Sequence, residues 1–160
     1  MKELRIDERI YRKMGSYPSE ERLKKGPVAI IECVEDIPCN PCEMVCPWKA
    51  IKVGFPITNV PELNEEKCTG CGKCIAICPG LAIFVLNYNF NENLASLTIP
   101  YEFLPLPRVD EKIKCLDRNG NYVCKGEIVK IVLPEKNNRT CLITFSFPRK
   151  YYNVIRSFKK

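Results

Sequence analysis

Apolar side chains along the chain fall into short runs that are rich in β-branched and aromatic residues. One run is Val28-Ala29-Ile30-Ile31, and further runs lie at 113–116, 122–123, 126–133 and 140–147. Runs of this length and composition, separated by turn residues, are typical of β-strands. The pattern therefore predicts one strand that begins at Val28 and a β-rich segment at 101–160.

Asn119-Gly120 lies between two of these runs and predicts a two-residue hairpin turn. The turn implies three cross-strand pairs: Arg118 with Asn121, Leu116 with Val123, and Cys115 with Cys124. We interpret Cys115, Cys124 and Cys141 as packed thiols, because free cysteine is among the most buried residue types. A cross-strand disulfide and a third metal site are the alternatives.

The remaining segments carry polar residues or turn signals. Residues 1–27 are polar and basic, with a helix start at Ser19 and a stop at Gly26-Pro27. We interpret them as a basic arm or short helix that lies on a partner. Residues 87–100 are rich in asparagine and predict a hairpin or connector. Residues 101–160 predict a basic β-rich domain with a small barrel.

Cysteine spacing carries most of the chemical information. The chain has eleven cysteines in 160 residues, and eight lie in two runs that each end in Cys-Pro. The second run comprises Cys68, Cys71, Cys74 and Cys78, with the spacing of bacterial loops that bind cubane iron–sulfur clusters. The first run comprises Cys39, Cys42 and Cys46, with Cys33 six residues ahead.

The two runs form an internal repeat. A shift of 32 residues places Cys39, Cys42 and Cys46 on Cys71, Cys74 and Cys78, and further matches follow each Cys-Pro pair. A repeat of this kind indicates one supersecondary unit used twice. The unit predicted here is a strand, a cluster loop and a short helix, and the two copies would pack about a pseudo-twofold axis.

The first run lacks one cysteine of the repeat, because Asp36 falls opposite Cys68. Cys33 can supply the missing thiolate, Asp36 can bind through oxygen, or the corner is absent and a [3Fe–4S] cluster forms. Thiolate is the softer ligand and suits iron–sulfur clusters better, so we assign Cys33. A buried, non-ligating Cys33 is the remaining alternative.

These considerations predict two [4Fe–4S] clusters whose ligand sets cross between the runs, since the Cys-Pro cysteine of such a run binds the other cluster. The first cluster takes Cys33, Cys39, Cys42 and Cys78, and the second takes Cys46, Cys68, Cys71 and Cys74. Paired Cys-x2-Cys motifs are also compatible with zinc. Zinc ribbons separate these pairs more widely, whereas the second run places four cysteines within eleven positions.

Composition restricts the function further. The chain has no histidine, which excludes Rieske-type ligation and histidine acid–base chemistry. No catalytic residues are evident, and no apolar stretch is long enough to span a membrane. No signal peptide precedes the polar start of the chain, so we expect a cytoplasmic protein and no disulfide framework. The use of lysine, isoleucine and glutamate is typical of thermophiles.

Charge is unevenly distributed. The net charge of +6 divides into +3 for residues 1–27, −4 for residues 28–100 and +7 for residues 101–160. The basic residues of the last segment are scattered and lack the interleaved aromatic platform of single-strand binders. We therefore expect a solvated face or one that docks an acidic subunit, and no nucleic acid.

The cysteine runs resemble the two-cluster bacterial ferredoxin family over residues 28–86. The longer string from Ile31 to Glu43, followed by Cys68-Thr69-Gly70-Cys71-Gly72 and by Cys78 to Ile83, is more particular. It resembles the small iron–sulfur subunits of multi-subunit, FAD-dependent dehydrogenases of proline, hydroxyproline and related amino acids. The resemblance implies a flavoprotein partner that oxidises a C–N bond and passes electrons singly to this subunit.

The sequence thus predicts an α+β fold: a pseudo-twofold two-cluster ferredoxin module at 28–86 plus a small C-terminal all-β, barrel-like element. The expected function is that of a non-catalytic electron-transfer subunit, which relays electrons between a flavoprotein dehydrogenase and an acceptor in a hetero-oligomer. A free-standing soluble ferredoxin is the alternative. A structural or nucleic-acid-binding module braced by the clusters is a third interpretation.

Overall fold

A computed structural model describes residues 16–34, 36–137 and 139–160. The part of the predicted N-terminal arm at 1–15 lies outside these residues. The helices are α1 (Glu20–Lys24), α2 (Pro41–Val45) and α3 (Lys73–Ile77). The strands are β1 (Val28–Ile31), β2 (Ile51–Lys52), β3 (Glu62–Leu63), β4 (Ile83–Asn87), β5 (Leu94–Tyr101), β6 (Lys112–Leu116), β7 (Tyr122–Val132), β8 (Cys141–Pro148) and β9 (Ser157–Lys159). No helix among the described residues is long and apolar enough to cross a membrane.

Seven of the strands form one antiparallel sheet in the order β1-β4-β5-β8-β7-β6-β9. The predicted α+β class, with a ferredoxin module and a separate barrel-like element, is therefore wrong. The two strands from the cysteine-rich half, β1 and β4, are continuous with the C-terminal strands through β5. The α-helices of the described residues are only three, each five residues long, so the fold is mostly antiparallel sheet.

The apolar runs of β1 and β4 explain why the two halves share a sheet. Val28, Ile30 and Leu86 pack into the core formed with the C-terminal strands, and all three are fully buried. The alternate residues of the same strands, including Ala29 and Ile31, pack under the cysteine loops. Strands that are covered on both faces have continuous apolar runs rather than alternating ones. This arrangement makes β1 and β4 the floor on which the cysteine loops rest.

The hairpin between β6 and β7 confirms one predicted pair and corrects the others. Cys115 lies opposite Cys124 as predicted, but Leu116 lies opposite Tyr122 because the register shifts there. The amide of Gly120 donates to the carbonyl of Asp117 at 3.1 Å, and Gly120 has φ +81°. The connection is therefore a longer loop with glycine in the left-handed region, not a two-residue turn.

The described part of the N-terminal segment packs on this chain. Helix α1 begins after Ser19, whose side chain accepts a hydrogen bond from the amide of Arg22, as the predicted helix start requires. Tyr17 and Leu23 are buried in the main core. Residues 16–27 therefore pack against this chain's own core, and contact of this segment with a partner stays a prediction.

Candidate metal-cluster sites

The internal repeat predicted from the cysteines is present in the backbone. Helix α2 is followed directly by Cys46, which has φ −72° and ψ 108°. Helix α3 is followed directly by Cys78, which has nearly the same angles, φ −73° and ψ 111°. Three residues later, Lys49 and Leu81 both adopt positive φ, at 50° and 52°. Two equivalent turns therefore follow the two Cys-Pro pairs at the same point.

The first cysteine-lined cavity lies between α2 and the end of α3. Its lining includes four cysteines: Cys33, Cys39, Cys42 and Cys78. Ile37, Asn59 and Pro61 complete one side. Asp36, the sequence alternative to Cys33, is exposed and does not line this cavity.

The second cavity lies above β1 and β4. Its cysteines are Cys46, Cys68, Cys71 and Cys74. Trp48 also lines it while remaining 55% exposed to solvent. The eight cysteines of the two runs thus separate into the two groups of four that the spacing predicts, with Cys46 and Cys78 exchanged between the runs.

The cysteines surround these cavities. None of the eleven cysteines, all within the described residues, is part of a disulfide. In the described part of the chain, no group of three or more histidine, cysteine, aspartate or glutamate side chains has the geometry to hold a single metal ion. Four thiols that line one cavity fit a polynuclear cluster, which fills the space between its ligands.

Backbone amides donate to cysteine sulfurs at both sites. The amide of Ala50 lies 3.3 Å from Sγ of Cys46, and its repeat equivalent, Ala82, lies 3.5 Å from Sγ of Cys78. At the second site the amide of Ala29 donates to Sγ of Cys68 at 3.3 Å. Hydrogen bonds to sulfur ligands stabilise negative charge and adjust the reduction potential of an iron–sulfur centre.

Burial controls the protonation of the deepest thiols. It raises the pKa of Cys42 to about 11, and negative charge on the other three cysteines of the first cavity adds to this rise. It likewise raises the pKa of Cys74 to about 12, with the three other cysteines of the second cavity contributing. Both thiols are therefore protonated at neutral pH without metal, and metal binding must release their protons.

Arg22 holds the second cysteine loop in place, a role that the sequence did not reveal. Its side chain is 7% exposed and donates from Nη2 to the carbonyl of Cys68 at 2.5 Å and from Nε to the carbonyl of Glu65 at 2.7 Å. Ser19 donates to the carboxylate of Glu65 through Oγ at 2.7 Å. These bonds connect α1 to the loop that carries Cys68.

Gly70 allows the same loop to approach the N-terminal segment. It has φ +67°, and a Cβ atom there would lie 2.7 Å from the backbone carbon of Pro27. Side chains larger than glycine are excluded by both the conformation and the contact. No pattern in the sequence marks this contact with Pro27.

A second missed feature lies directly before Cys33. Glu32 accepts hydrogen bonds from Arg118 Nε at 3.0 Å and from Arg156 Nε at 2.7 Å, and a further bond joins it to Nη2 of Arg118. The carboxylate of Glu32 and the guanidinium of Arg156 are 9% and 3% exposed. Burial alone would raise the pKa of Glu32, but the two arginines outweigh it and the pKa lies below its ordinary value.

Comparison with known proteins identifies the class of this site. Residues 33–89 match the family described as the LdpA Fe-S cluster-binding domain. The chain therefore carries a ferredoxin-like iron–sulfur cluster-binding domain in this segment. This agreement covers the segment that contains all eight cysteines of the two runs.

The relatives match parts of this chain within proteins of different length. One subunit of an ion-translocating oxidoreductase complex from Methanosarcina acetivorans is 49% identical over 47 residues, which are 29% of this chain and 17% of that protein. An uncharacterized ferredoxin of Methanocaldococcus jannaschii is 38% identical over 72 residues, 42% of each chain. Protein Pixie of Drosophila melanogaster is 29% identical over 132 residues, 71% of this chain and 20% of that protein.

The chain thus spans less than half the length of each of these relatives. No solved structure matches it.

Proposed function

We propose that this chain is the electron-transfer subunit of an oxidoreductase complex and holds two [4Fe–4S] clusters. The observation that carries the proposal is the separation of the eight cysteines into two cavities with four cysteines each. When bound, each cluster would accept and release single electrons. Two such centres suit a donor that gives up two electrons, such as a reduced flavin.

The protein's own residues set the conditions for this role. The amides of Ala29, Ala50 and Ala82 stabilise negative charge on the sulfurs that they contact. The apolar floor beneath the cysteine loops lowers the local dielectric constant, which strengthens those interactions. Arg22 and Gly70 fix the second loop. The chain thereby positions and tunes the redox centres, whereas substrate chemistry belongs to a partner.

For the partner we propose a FAD-dependent dehydrogenase that oxidises an amino acid or imino acid such as proline or hydroxyproline. The resemblance of the cysteine-rich string supports this substrate class. Membership of the Methanosarcina relative in an oxidoreductase complex supports the more general idea of a subunit. A free-standing electron carrier is the second candidate, favoured by the similarity to the uncharacterized ferredoxin.

Anaerobic purification of the tagged chain from its native host tests this proposal. We expect a flavin-containing dehydrogenase to be recovered in a fixed ratio, identified by mass spectrometry and by its flavin absorbance. The purified complex should reduce an artificial acceptor with proline or hydroxyproline as substrate. Recovery of a brown, iron-containing chain alone would instead support the free carrier.

The ligand set of the first site is tested by replacing Cys33. We expect Cys33→Ser to lower the iron content from about eight atoms per chain, the number for two cubane clusters. Asp36→Asn should leave the iron content unchanged, because Asp36 is exposed and does not line the cavity. The measurement is iron and sulfide per chain after anaerobic reconstitution.

Cys141→Ser is the matched control for this experiment, since Cys141 is buried away from both cavities. Loss of iron from Asp36→Asn but not from Cys33→Ser would assign the fourth ligand to the aspartate. Unchanged iron in both variants would show that the first site needs only three ligands from the protein.

A further inference from the structure

Three lysines form a single row across the β7-β6-β9 end of the sheet. Lys114 of β6 lies directly opposite Lys125 of β7 and directly opposite Lys159 of β9. Residues that are directly opposite in antiparallel strands point to the same face of a sheet. All three lysines are exposed, while the next row, Cys115 with its neighbours, faces the core. We call Lys114, Lys125 and Lys159 the lysine row.

The lysine row is unfavourable for the fold. Neighbouring strands lie about 4.8 Å apart, and like charges directly opposite each other destabilise a sheet. Lys112 lies on β6 with Lys114 and has a counter-ion, because it forms an ion pair with Glu127 of the neighbouring strand β7. None of the three lysines of the row forms an ion pair with a described residue. The sheet therefore carries three adjacent positive charges that form no ion pair among the described residues, with Glu127 beside the row paired to Lys112.

The chemistry of the row favours carboxylates over phosphates. Arginine, with its planar fork, is the residue of choice for phosphate and nucleic-acid recognition, and the row contains only lysine. The ammonium group of lysine is a compact point charge with three rotatable donors, which can pair with single carboxylates without the bidentate geometry that arginine offers to phosphate. The row also lies in the segment with a net charge of +7, which would attract an acidic surface over a longer distance.

We propose that the lysine row is the docking contact for an acidic surface of a protein partner. This inference rests on the proposed function, since it places the electron-transfer partner on the outer face of β6, β7 and β9. The partner would present aspartate or glutamate side chains to Lys114, the central member of the row. Binding would then relieve the repulsion among the three lysines that the free chain carries.

The test compares two triple variants of the cluster-loaded protein. The row variant is Lys114→Gln, Lys125→Gln and Lys159→Gln. The control variant is Lys24→Gln, Lys67→Gln and Lys130→Gln, which removes three exposed lysines elsewhere and gives the same net charge. The probes are poly-L-glutamate, an oligothymidylate, and vesicles that contain phosphatidylserine, each at low and high salt.

We expect poly-L-glutamate to bind the wild-type protein at low salt. The row variant should bind it about tenfold more weakly, because close pairs between lysine and glutamate across the interface contribute strongly to affinity. The control variant should lose no more than about twofold, as scattered surface charges are screened. The single change Lys114→Gln should raise the melting temperature of the free protein, since it removes the repulsion on both sides.

Equal losses in the two triple variants would overturn the proposal, because net charge alone would then explain binding. Tighter, row-dependent binding of the oligothymidylate or of the vesicles would also overturn it and assign the row to phosphate groups. The proposed function is judged separately: anaerobic reduction by dithionite must bleach the visible absorbance reversibly in all three proteins. A protein that shows no such bleaching contradicts electron transfer, whatever the lysine row binds.

Discussion

Residues 28–86, expressed alone, are expected not to fold into a stable cluster-binding protein. In the full chain Val28, Ile30 and Leu86 are fully buried against the core that the C-terminal strands supply. Excision exposes these side chains, at about 1.5–3 kcal/mol each. The loss is comparable with the entire net stability of a typical domain, about 5–15 kcal/mol. Strand β4 also loses its neighbour β5.

The measurement is iron per chain and cooperative unfolding by circular dichroism after anaerobic reconstitution of the excised segment and the full chain. We expect the segment to bind substoichiometric iron and to unfold without a clear transition. A segment that binds as much iron as the full chain, and unfolds cooperatively, would show that the cysteine-rich half is independent. The shared sheet would then be a docked arrangement of two stable parts.

Replacing Glu32 by glutamine is expected to have the second large effect. Arg156 is almost fully buried and its Nε donates to the Glu32 carboxylate. The loss of that charge leaves the guanidinium buried without a counter-ion, which typically costs about 3–5 kcal/mol. Because Glu32 directly precedes Cys33, the first site should also lose iron more rapidly. Urea unfolding under anaerobic conditions measures the first effect, and iron release to a chelator measures the second.

Glu127→Gln is the matched control, because it removes a glutamate from an exposed ion pair with Lys112. Exposed pairs contribute about 0–1 kcal/mol, so a small change is expected. If both variants lose equal stability, the buried pair has no special role.

The contribution of Glu32 should also depend on pH. The pKa of Glu32 is lowered in the folded state, so folding favours its ionised form. The stabilisation by Glu32 is complete above the pKa of the unfolded state, about 4.3. It is lost as the pH falls through the lower pKa of the folded state. The difference in unfolding free energy between the wild type and Glu32→Gln should therefore be constant near neutral pH and shrink in acid. A difference that persists at low pH would contradict this account.

The grouping of the cysteines around two cavities could be predicted from the sequence because it depends on local spacing. Three cysteines within eight positions must lie on one loop, and the Cys-Pro turn directs the last one elsewhere. The helix start at Ser19 and the pair of Cys115 with Cys124 are local as well, and the structure confirms both. In each case the residues that decide the outcome are close together in the chain.

The sheet and its supporting contacts could not be predicted in this way. Glu32 meets Arg118 and Arg156 across 86 and 124 residues of sequence, and no local pattern marks such a pair. The continuous apolar run of β1 was consistent with burial on both faces, but it does not say what covers the second face. The C-terminal strands supply the core on that face, whereas the sequence predicts a separate barrel for them.

The strand order has a consequence for biosynthesis. All eight cysteines of the two runs lie between residues 33 and 78, whereas the core on the other face of β1 and β4 needs β5 and then β8, at 141–148. A chain emerging from the ribosome therefore presents its thiols well before the core that supports their floor can form. Contacts between residues so distant in sequence form slowly, because closing long loops costs entropy. Cluster insertion into a finished site therefore follows release of the C-terminal strands from the ribosome. Until then the nascent chain carries exposed, unligated cysteines.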